Sequence, residues 1–216
     1  MSDELLREQV SYYRARAPEY DATSRPPGDP FAEIAVSGIG QLLALGPVHR
    51  AIELGAGTGQ FTGHLASIAD QVVAVDTSPE MLEINASKVP AQNVERLVGD
   101  VFDWAPEQRA DLVAFGFLFS HVPRSRFDAF WASVGKMLAP GGRVFLMDES
   151  AHGAWREESA AGGDADIAVR TLADGRRFRI VKVLWEPADL QGRLAVAGWR
   201  AELVRRDPFY WGVAER

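Results

Sequence analysis

The chain has 216 residues, 47% of them hydrophobic and 25% charged, which is ordinary for a globular protein with a substantial core. Its formal charge of −7 argues against nucleic acid as the main partner, because phosphate backbones are bound by basic surfaces. The absence of cysteine excludes disulfides, thiolate catalysis and zinc–thiolate sites.

The sequence favours a cytoplasmic protein without a membrane or metal partner. The chain starts with MSDELLREQV, which is polar and carries acids, unlike a signal peptide. No apolar run approaches the ~18 residues needed to span a bilayer. The four histidines show no metal-ligand spacing: His49, His64, His121 and His152. We expect a single domain over residues 1–216, and the sequence carries no signal for its oligomeric state.

The first 30 residues predict a helix and a loop that together could form a lid. Residues 3–17 have helical periodicity. Their apolar side chains share one stripe: Leu6, Val10, Tyr13 and Ala17. Segment 18–30 contains four prolines and a glycine and predicts a loop or hinge. The next helix is predicted from Phe31 to about Leu45.

Strand and helix patterns then alternate as far as Glu149. Strands are predicted at 50–54, 71–76, 94–100, 110–119 and 142–149, and helices at 60–68, 79–87 and 124–138. Such alternation is typical of a parallel sheet with helices on both faces. After a last helix at 187–198, AELVRRD and FYWGVAE predict an antiparallel pair. The expected fold is α/β, with a doubly wound, Rossmann-like, mainly parallel seven-stranded sheet.

Residues 150–185 interrupt the alternation after the fifth strand. IAVRTLADGRRFRIVKV predicts a β-hairpin around Asp174-Gly175. In open α/β sheets, ligands bind at the carboxyl ends of the strands. The inserted hairpin emerges at that edge and is therefore expected on the substrate side of the sheet.

A glycine loop, ELGAGTG, follows the first predicted strand and opens a helix. Glycines there permit a tight turn and close approach of the backbone to a ligand. A dinucleotide fingerprint would need glycine where this chain has Gln60, so the G-x-G-x-G spacing argues against NAD. A glycine-rich turn that serves only packing is the alternative.

Two aspartates follow the next two strands. Asp76 could accept hydrogen bonds from both hydroxyls of a ribose, and Asp100 could accept one from an exocyclic amine such as adenine N6. Each could instead be an ordinary turn or capping residue. Their occurrence after successive strands, together with the glycine loop, favours a nucleoside site.

The motifs AIELGAGTG, VVAVDTSPEML, VGDVFDW, ADLVAF and LAPGGRVF closely resemble those of class I S-adenosylmethionine-dependent methyltransferases. The resemblance covers residues 10–149 and implies that S-adenosyl-L-methionine is the cofactor. It implies that Glu53 and Gly55–Gly59 border the methionine moiety, Asp76 binds the ribose, and Asp100, Val101 and Met81 surround the adenine. The cofactor-binding residues expected from it are Glu53, Gly55, Ala56, Gly57, Gly59, Asp76, Thr77, Met81, Asp100, Val101 and Phe115.

The ends of the chain resemble a narrower group. SYYRARAPEYDAT, FSHVPRSRFDAFW and DGRRFRIVKV are similar to the phosphonate O-methyltransferase of dehydrophos biosynthesis and its relatives. This resemblance makes Tyr13 and Tyr20 candidate lid residues at the catalytic site. From the residues by themselves, a row of tyrosines on a helix is also compatible with simple packing.

Methyl transfer from a sulfonium is an in-line displacement in which the enzyme aligns the acceptor and manages charge. An acceptor that is already anionic, such as a phosphonate or carboxylate, needs cations rather than a base. His121 follows the fourth strand and could act as a general base or a hydrogen-bond donor. It could also simply order the turn.

The hairpin supplies the candidate cations, and its register decides which side chains share a face. A two-residue turn would pair Arg170 with Arg179 and place Lys182 on the opposite face. A three-residue turn with Gly175 in the left-handed conformation would place Arg170 opposite Phe178, on the face that carries Lys182. We prefer the second register, with Arg170 and Lys182 binding an anionic substrate group. Arg177 and Arg179 would then point to solvent.

Lys182 has a simpler alternative, an ion pair with Asp166 across the strands.

Three functional hypotheses remain open. The first is methyl transfer to an oxygen of a small acidic molecule. The second is methyl transfer to a neutral hydroxyl or amine with His121 as base. The third is a non-catalytic protein that binds S-adenosylmethionine. A metal-dependent catechol-type enzyme is disfavoured, because only Asp148 and Glu149 suggest ligands after the fifth strand.

Overall fold

The computed structural model describes residues 3–24, 28–151, 158–159 and 166–216. The helices are α1 (Asp3–Arg16), α2 (Tyr20–Ser24), α3 (Ala32–Leu43), α4 (Thr62–Ile68), α5 (Pro79–Lys88), α6 (Phe127–Met137) and α7 (Pro187–Val196). The strands are β1 (Val48–Leu54), β2 (Ala69–Asp76), β3 (Val94–Val98), β4 (Ala110–Gly116), β5 (Leu138–Glu149), β6 (Glu158–Ser159), β7 (Ile167–Thr171), β8 (Arg177–Val181), β9 (Arg200–Arg206) and β10 (Phe209–Glu215). His152, one of the four histidines without metal-ligand spacing, lies outside the described residues.

Seven strands of the described residues form one sheet in the order β3-β2-β1-β4-β5-β10-β9. The pairs from β3 to β5 are parallel, whereas β10 is antiparallel to both β5 and β9. The expected α/β fold with a mainly parallel seven-stranded sheet is confirmed. The chain leaves β1 toward β2 on one side and returns to β4 on the other, which leaves a crevice at the carboxyl end of β1.

Alternate residues of the central strands pack on opposite faces of the sheet. In β1, Ile52 packs in a cluster with residues of α6 and α7, whereas Ala51 packs with residues of α3 and α4. Both residues have no exposed surface. This burial on two sides explains the nearly continuous apolar runs of the central strands.

The N-terminal segment (residues 3–24) differs in two ways from the sequence prediction. The predicted loop contains a 3-10 turn, Ala17–Glu19, and the short helix α2, because a proline at the start of such a turn loses no needed hydrogen bond. In α1 the buried side chains are Leu5 and Tyr12, which pack on the hairpin strand β8 and its neighbours. The predicted apolar stripe of Leu6, Val10 and Tyr13 lines a cavity instead.

The inserted hairpin has the preferred three-residue turn. Arg170 lies opposite Phe178 in the β7–β8 ladder. Gly175 adopts φ +87° and donates its backbone N–H to Leu172 O (2.9 Å). This left-handed conformation favours glycine, so a local signal in the sequence determined the register.

Two boundaries near the site differ from the prediction. β4 ends at Gly116, and the residues Phe119–His121 form a 3-10 turn instead of continuing the strand. β5 begins at Leu138, within the predicted end of the preceding helix. No helix within the described ranges combines the length and apolar character needed to cross a bilayer.

Candidate functional site

The glycine loop after β1 turns sharply at the carboxyl edge of the sheet. Gly55, Gly57 and Gly59 have φ values of +66°, +51° and +93°, which residues with a Cβ atom rarely adopt. The backbone N–H of Gly57 donates to Asp76 Oδ2 (2.8 Å), which ties the loop to the end of β2. The positive φ values therefore explain why glycine occupies these three positions.

Glu53 lies behind this loop rather than on its open side. Its side chain is 2% exposed, and Thr62 Oγ1 donates to its Oε2 (2.6 Å). Asn85 Nδ2 donates in turn to Thr62 Oγ1 (2.7 Å), which links β1 to α4 and α5. Burial in this network, with Asp76 nearby, raises the pKa of Glu53 to about 8. Glu53 thus supports the loop from below.

A first cavity opens at the carboxyl ends of β1 to β4. Seven of the expected cofactor residues line it: Gly55, Gly57, Asp76, Thr77, Met81, Asp100 and Val101. The N-terminal segment covers it with Leu6, Gln9, Val10, Tyr13 and Tyr20. Glu53, Ala56, Gly59 and Phe115 lie outside this lining among the described residues.

Phe115 belongs to the aromatic core. Its ring lies 5.4 Å from Phe130 and 5.9 Å from Trp131, in edge-to-face contacts, and it is 1% exposed. Alternation along β4 directs this side chain into the core and not into the cavity lining, so the expected contact of Phe115 with the cofactor stays a prediction that the side chain's position does not support. The next three residues, Gly116, Phe117 and Leu118, line the cavity and were among those that the sequence did not predict.

Asp76 and Asp100 both combine a turn role with a place in the cavity wall. Asp76 accepts the backbone N–H of Gly57 and that of Ser78 (2.9 Å). Asp100 Oδ1 accepts the backbone N–H of Phe102 (2.9 Å). Burial raises the pKa of Asp76 in spite of these donors. The two readings left open by the sequence are therefore compatible.

A second cavity lies beside the first, between the N-terminal segment, the hairpin and the end of β5. Its charged lining residues are Arg16, Arg170 and Lys182 together with Glu19, Asp29 and Glu149. Among the residues that the structure describes, four line both cavities: Tyr13, Tyr20, Phe117 and His121. We call these four residues the shared wall.

His121 is held in one tautomer within the shared wall. Its Nδ1 lies 2.7 Å from Val181 O, and a carbonyl can only accept, so Nδ1 carries the proton. Its Nε2 therefore accepts the hydroxyl hydrogen of Tyr13 (2.7 Å). Burial and the charges of Lys182, Arg170 and Arg16 hold the pKa of His121 well below its usual range. The imidazole is neutral and both of its nitrogens are engaged.

Lys182 is buried at 6% exposure and has partners that the sequence did not predict. Its Nζ lies 2.8 Å from Glu149 Oε2 and 3.2 Å from Ser120 Oγ. The Asp166 side chain is bound by Arg124 at 2.9 Å, whereas its backbone carbonyl accepts the N–H of Lys182. Lys182 thus pairs with the end of β5, which supports its charge in a buried position.

The other hairpin cations differ in their exposure and in their partners. Arg170 is half-buried and lines the second cavity, as the register predicts. Arg177 is exposed. Arg179 is exposed but does not simply point to solvent, because its guanidinium pairs with Glu8 of α1 at 2.7 Å. The hairpin therefore contacts α1 through Ile180 as well as Arg179, and it lines the second cavity through Arg170.

No group of three or more potential metal-ligating side chains occurs in the described part of the chain. The two remaining described histidines lie elsewhere. His49 is exposed and its Nδ1 lies 3.0 Å from Asp70, and His64 is half-buried on α4.

Comparisons with known proteins agree with this geometry. Residues 51–142 match the family described as a methyltransferase domain. A methyltransferase of Staphylococcus carnosus is 30% identical over 145 residues, which are 65% of this chain and 68% of that protein. A trans-aconitate 2-methyltransferase of Methylobacterium radiotolerans is 29% identical over 175 residues, 76% of this chain and 64% of its own length.

The solved structures of DhpI are similar over the whole chain. Its complex with S-adenosylhomocysteine superposes with a TM-score of 0.86 at 38% identity and covers 100% of this chain and 98% of DhpI. Its complex with SAM and HEP gives a TM-score of 0.86 at 39% identity, with 100% of both chains covered. The N-terminal segment and the hairpin are therefore shared features, and not only the central sheet.

Proposed function

This chain belongs to the S-adenosylmethionine-dependent methyltransferases, and from that premise we propose that it methylates an oxygen of a small acidic molecule, a phosphonate or a carboxylate. The observation that carries the proposal is the pair of adjacent cavities separated by the shared wall. One cavity has a lining suited to a nucleoside, and the other is lined by three cations and three carboxylates, of which Glu149 pairs with Lys182. A methyl group passing between them would not have to cross bulk solvent.

We assign the first cavity to S-adenosylmethionine, which supplies a methyl group activated by its positively charged sulfur. Gly55 and Gly57 would offer backbone close to the methionine moiety, and Asp76 would accept the ribose hydroxyls. Asp100, Val101 and Met81 would surround the adenine. All six positions line the cavity, which supports the assignment.

The charge around the second cavity supports an anionic acceptor. After burial, the charges of Lys182, Arg170 and Arg16 lower the pKa of His121, so these cations lie close enough to act on the shared wall. Arg170 offers a planar fork suited to a phosphonate or carboxylate. Such an acceptor is ionised at neutral pH, and its oxygen needs alignment and charge stabilisation rather than deprotonation.

The state of His121 weighs against its use as a general base for a neutral acceptor. The nitrogen that could take a proton already accepts the Tyr13 hydroxyl. The neighbouring cations also disfavour a positive imidazolium. We propose that His121 and Tyr13 instead orient each other and thereby position the wall between methyl group and acceptor.

Two of the similar proteins supply separate support. DhpI was solved with SAM and HEP together, and one relative is named for methylation of trans-aconitate, a carboxylate. The developed acceptor cavity also disfavours a protein that binds the cofactor without catalysis.

A methyl-transfer screen tests the proposal directly. The purified protein is incubated with S-adenosylmethionine and matched sets of small phosphonates, carboxylates and phenols, and products are identified by mass spectrometry. We expect methyl esters of phosphonates or carboxylates. The proposal would be contradicted by methylated phenols without any methyl ester of a phosphonate or carboxylate. It would also be contradicted by tight cofactor binding with no methylated product.

Arg170→Ala and Lys182→Ala locate the acceptor. Loss of a hydrogen bond to a charged group costs about 1.5–3 kcal/mol, so each variant should raise the acceptor KM by roughly 10- to 100-fold. Cofactor affinity should stay near normal. Arg177→Ala is the matched control, because Arg177 lies on the other face of the hairpin. The double variant Lys182→Ala, Glu149→Gln checks that the single loss is not caused by an unpaired Glu149 carboxylate.

A further inference from the structure

Phe117 has an unusual backbone conformation. Among the described residues it is the only one other than glycine with a positive φ, at +56°. An L side chain in this left-handed region crowds its own backbone, whereas glycine adopts it freely. A strained residue persists where its surroundings over-determine it, and such residues cluster at functional sites.

The backbone on both sides fixes this conformation. The N–H of Phe117 donates to Met147 O (2.7 Å), which joins the end of β4 to β5. At the preceding position, a Cβ added to Gly116 would lie 2.2 Å from the Phe61 ring. The chain therefore passes tightly beneath Phe61 and turns immediately afterwards, which directs the Phe117 ring outward.

The Phe117 ring is held by aromatic neighbours and faces both cavities. Its centroid lies 6.2 Å from that of Phe61 and 5.4 Å from that of Phe209, the latter at an interplanar angle of 73°. The ring is half-buried and belongs to the shared wall.

The other members of the shared wall are attached differently. Tyr13 and Tyr20 belong to the N-terminal segment and would move with it. His121 is oriented by hydrogen bonds to Tyr13 and to the hairpin. Phe117 is anchored to the sheet itself, directly beside Leu118, whose side chain would meet a Cβ on Gly55 at 2.9 Å. Its ring therefore has a fixed position relative to the glycine loop.

We infer that Phe117 is a specificity-determining residue whose ring limits the size of the acceptor beside the transferred methyl group. The inference rests on the proposed function, since it needs an acceptor in the second cavity. The backbone strain is the consequence of placing a bulky ring at a turn that glycine would otherwise occupy.

The test measures a ratio of two acceptors. Methylphosphonate and benzylphosphonate are titrated into protein saturated with S-adenosylhomocysteine, and their kcat/KM values are measured with S-adenosylmethionine. A change in pocket volume alters discrimination by about 10- to 200-fold per methylene. Phe117→Ala should therefore raise the ratio of kcat/KM for benzylphosphonate to kcat/KM for methylphosphonate by at least about tenfold, and Phe117→Leu should raise it by less.

Phe145→Leu is the matched control. Phe145 packs against Phe61 in the same aromatic cluster, with ring centroids 6.5 Å apart, but lines neither cavity within the described residues. It should leave the ratio within about twofold, because the effect of size requires direct contact with the acceptor. An equal shift in Phe145→Leu would reduce Phe117 to a packing residue.

Phe117→Gly separates the ring from the backbone. It lacks the ring, so its ratio should match that of Phe117→Ala, but glycine relieves the left-handed φ, so its urea midpoint should be higher. An unchanged ratio in a folded alanine or glycine variant overturns the inference. If the wild type methylates neither these phosphonates nor any carboxylate, the proposed function has failed; if it methylates only carboxylates, the same ratio is measured with phenylacetate and acetate. If it methylates methylphosphonate and only the ratio fails to move, the inference alone is wrong.

Discussion

The proposed cofactor side, at the glycine loop, and the proposed acceptor side, where the N-terminal segment meets the hairpin, are held together by different kinds of interaction. On the cofactor side the contacts are buried or half-buried and join β1 and its loop to α4 and to the end of β2, as between Glu53 and Thr62 or between Gly57 and Asp76. The N-terminal segment packs on the hairpin through Leu5 and Tyr12, and it is also fastened to the hairpin and to α5 by exposed ion pairs. These include Arg179–Glu8, Arg14–Glu80 and Lys88–Asp21.

Because of this difference, the two sides should respond to different solution conditions, one to pH and the other to salt. Exposed ion pairs weaken as salt screens their charges. A buried carboxyl is insensitive to salt but responds to pH, because its ionisation is coupled to folding. A change of pH should therefore perturb the cofactor side, and a change of ionic strength should perturb the attachment of the N-terminal segment.

The largest effect should come from Asp76→Asn. Its carboxylate accepts two backbone N–H groups, and an amide nitrogen in place of one oxygen would face a donor. The ribose hydroxyls would donate to the same carboxylate, and at about 1.5–3 kcal/mol for each of these two hydrogen bonds, cofactor affinity should fall about a thousandfold. Calorimetric titration with S-adenosylhomocysteine measures this loss.

Asp111→Asn is the control for that variant. Asp111 also accepts two backbone N–H groups, from His49 and Arg50, but at the amino end of β1. Both donate to one oxygen, Oδ2, which asparagine can replace with its own, so the variant should lower stability only slightly and leave cofactor affinity unchanged. Equal losses of affinity in both variants would mean that Asp76 acts only through folding.

An intermediate effect is expected from Glu53→Gln on the pH dependence of stability. The pKa of Glu53 is raised to about 8 in the folded protein, mainly by burial. The folded state thus retains a proton that the unfolded state loses above its pKa of about 4.5, so the contribution of Glu53 to stability falls as pH rises. Between about pH 5 and pH 7 the wild type should lose roughly 2–3 kcal/mol from this group.

Glutamine mimics the neutral acid, so the two proteins should have similar free energies of unfolding near pH 5 and diverge above it. Urea titrations at both pH values measure the difference. Parallel curves for the two proteins would show that Glu53 is already ionised in the folded state.

The smallest effect should come from Arg179→Ala. Removing its pair with Glu8 loosens the N-terminal segment on the hairpin. Exposed pairs contribute little, so the acceptor KM should rise only about two- to fivefold at low salt, and the difference should vanish at about 1 M salt. Arg193→Ala is the control, since its pair with Asp128 joins α7 to α6 away from both cavities. A salt-independent change would contradict the distinction between the two sides.

The same distinction explains what the sequence could predict. The central strands were predicted within a few residues, because apolar runs and the glycine and proline residues between them are local signals. Gly175 likewise fixed the hairpin register. The positions of Asp76 and Asp100 followed from the strands that precede them.

The acceptor side could not be predicted in detail, because its contacts join distant segments. Tyr13 and His121 are 108 residues apart in the chain, yet their side chains share a hydrogen bond. The pair between Lys182 and Glu149 depends on how β8 lies against the end of β5. The positive φ of Phe117 has no local cue in FGFLF, since it results from packing beneath Phe61.

The place of Tyr13 and Tyr20 has a consequence for the timing of turnover. Both side chains line both cavities and both belong to the N-terminal segment. Displacing that segment would uncover the two cavities in one event, so methylated product and spent cofactor would leave through the same opening. The frequency of that opening is then an upper bound on kcat, however fast the methyl group itself is transferred.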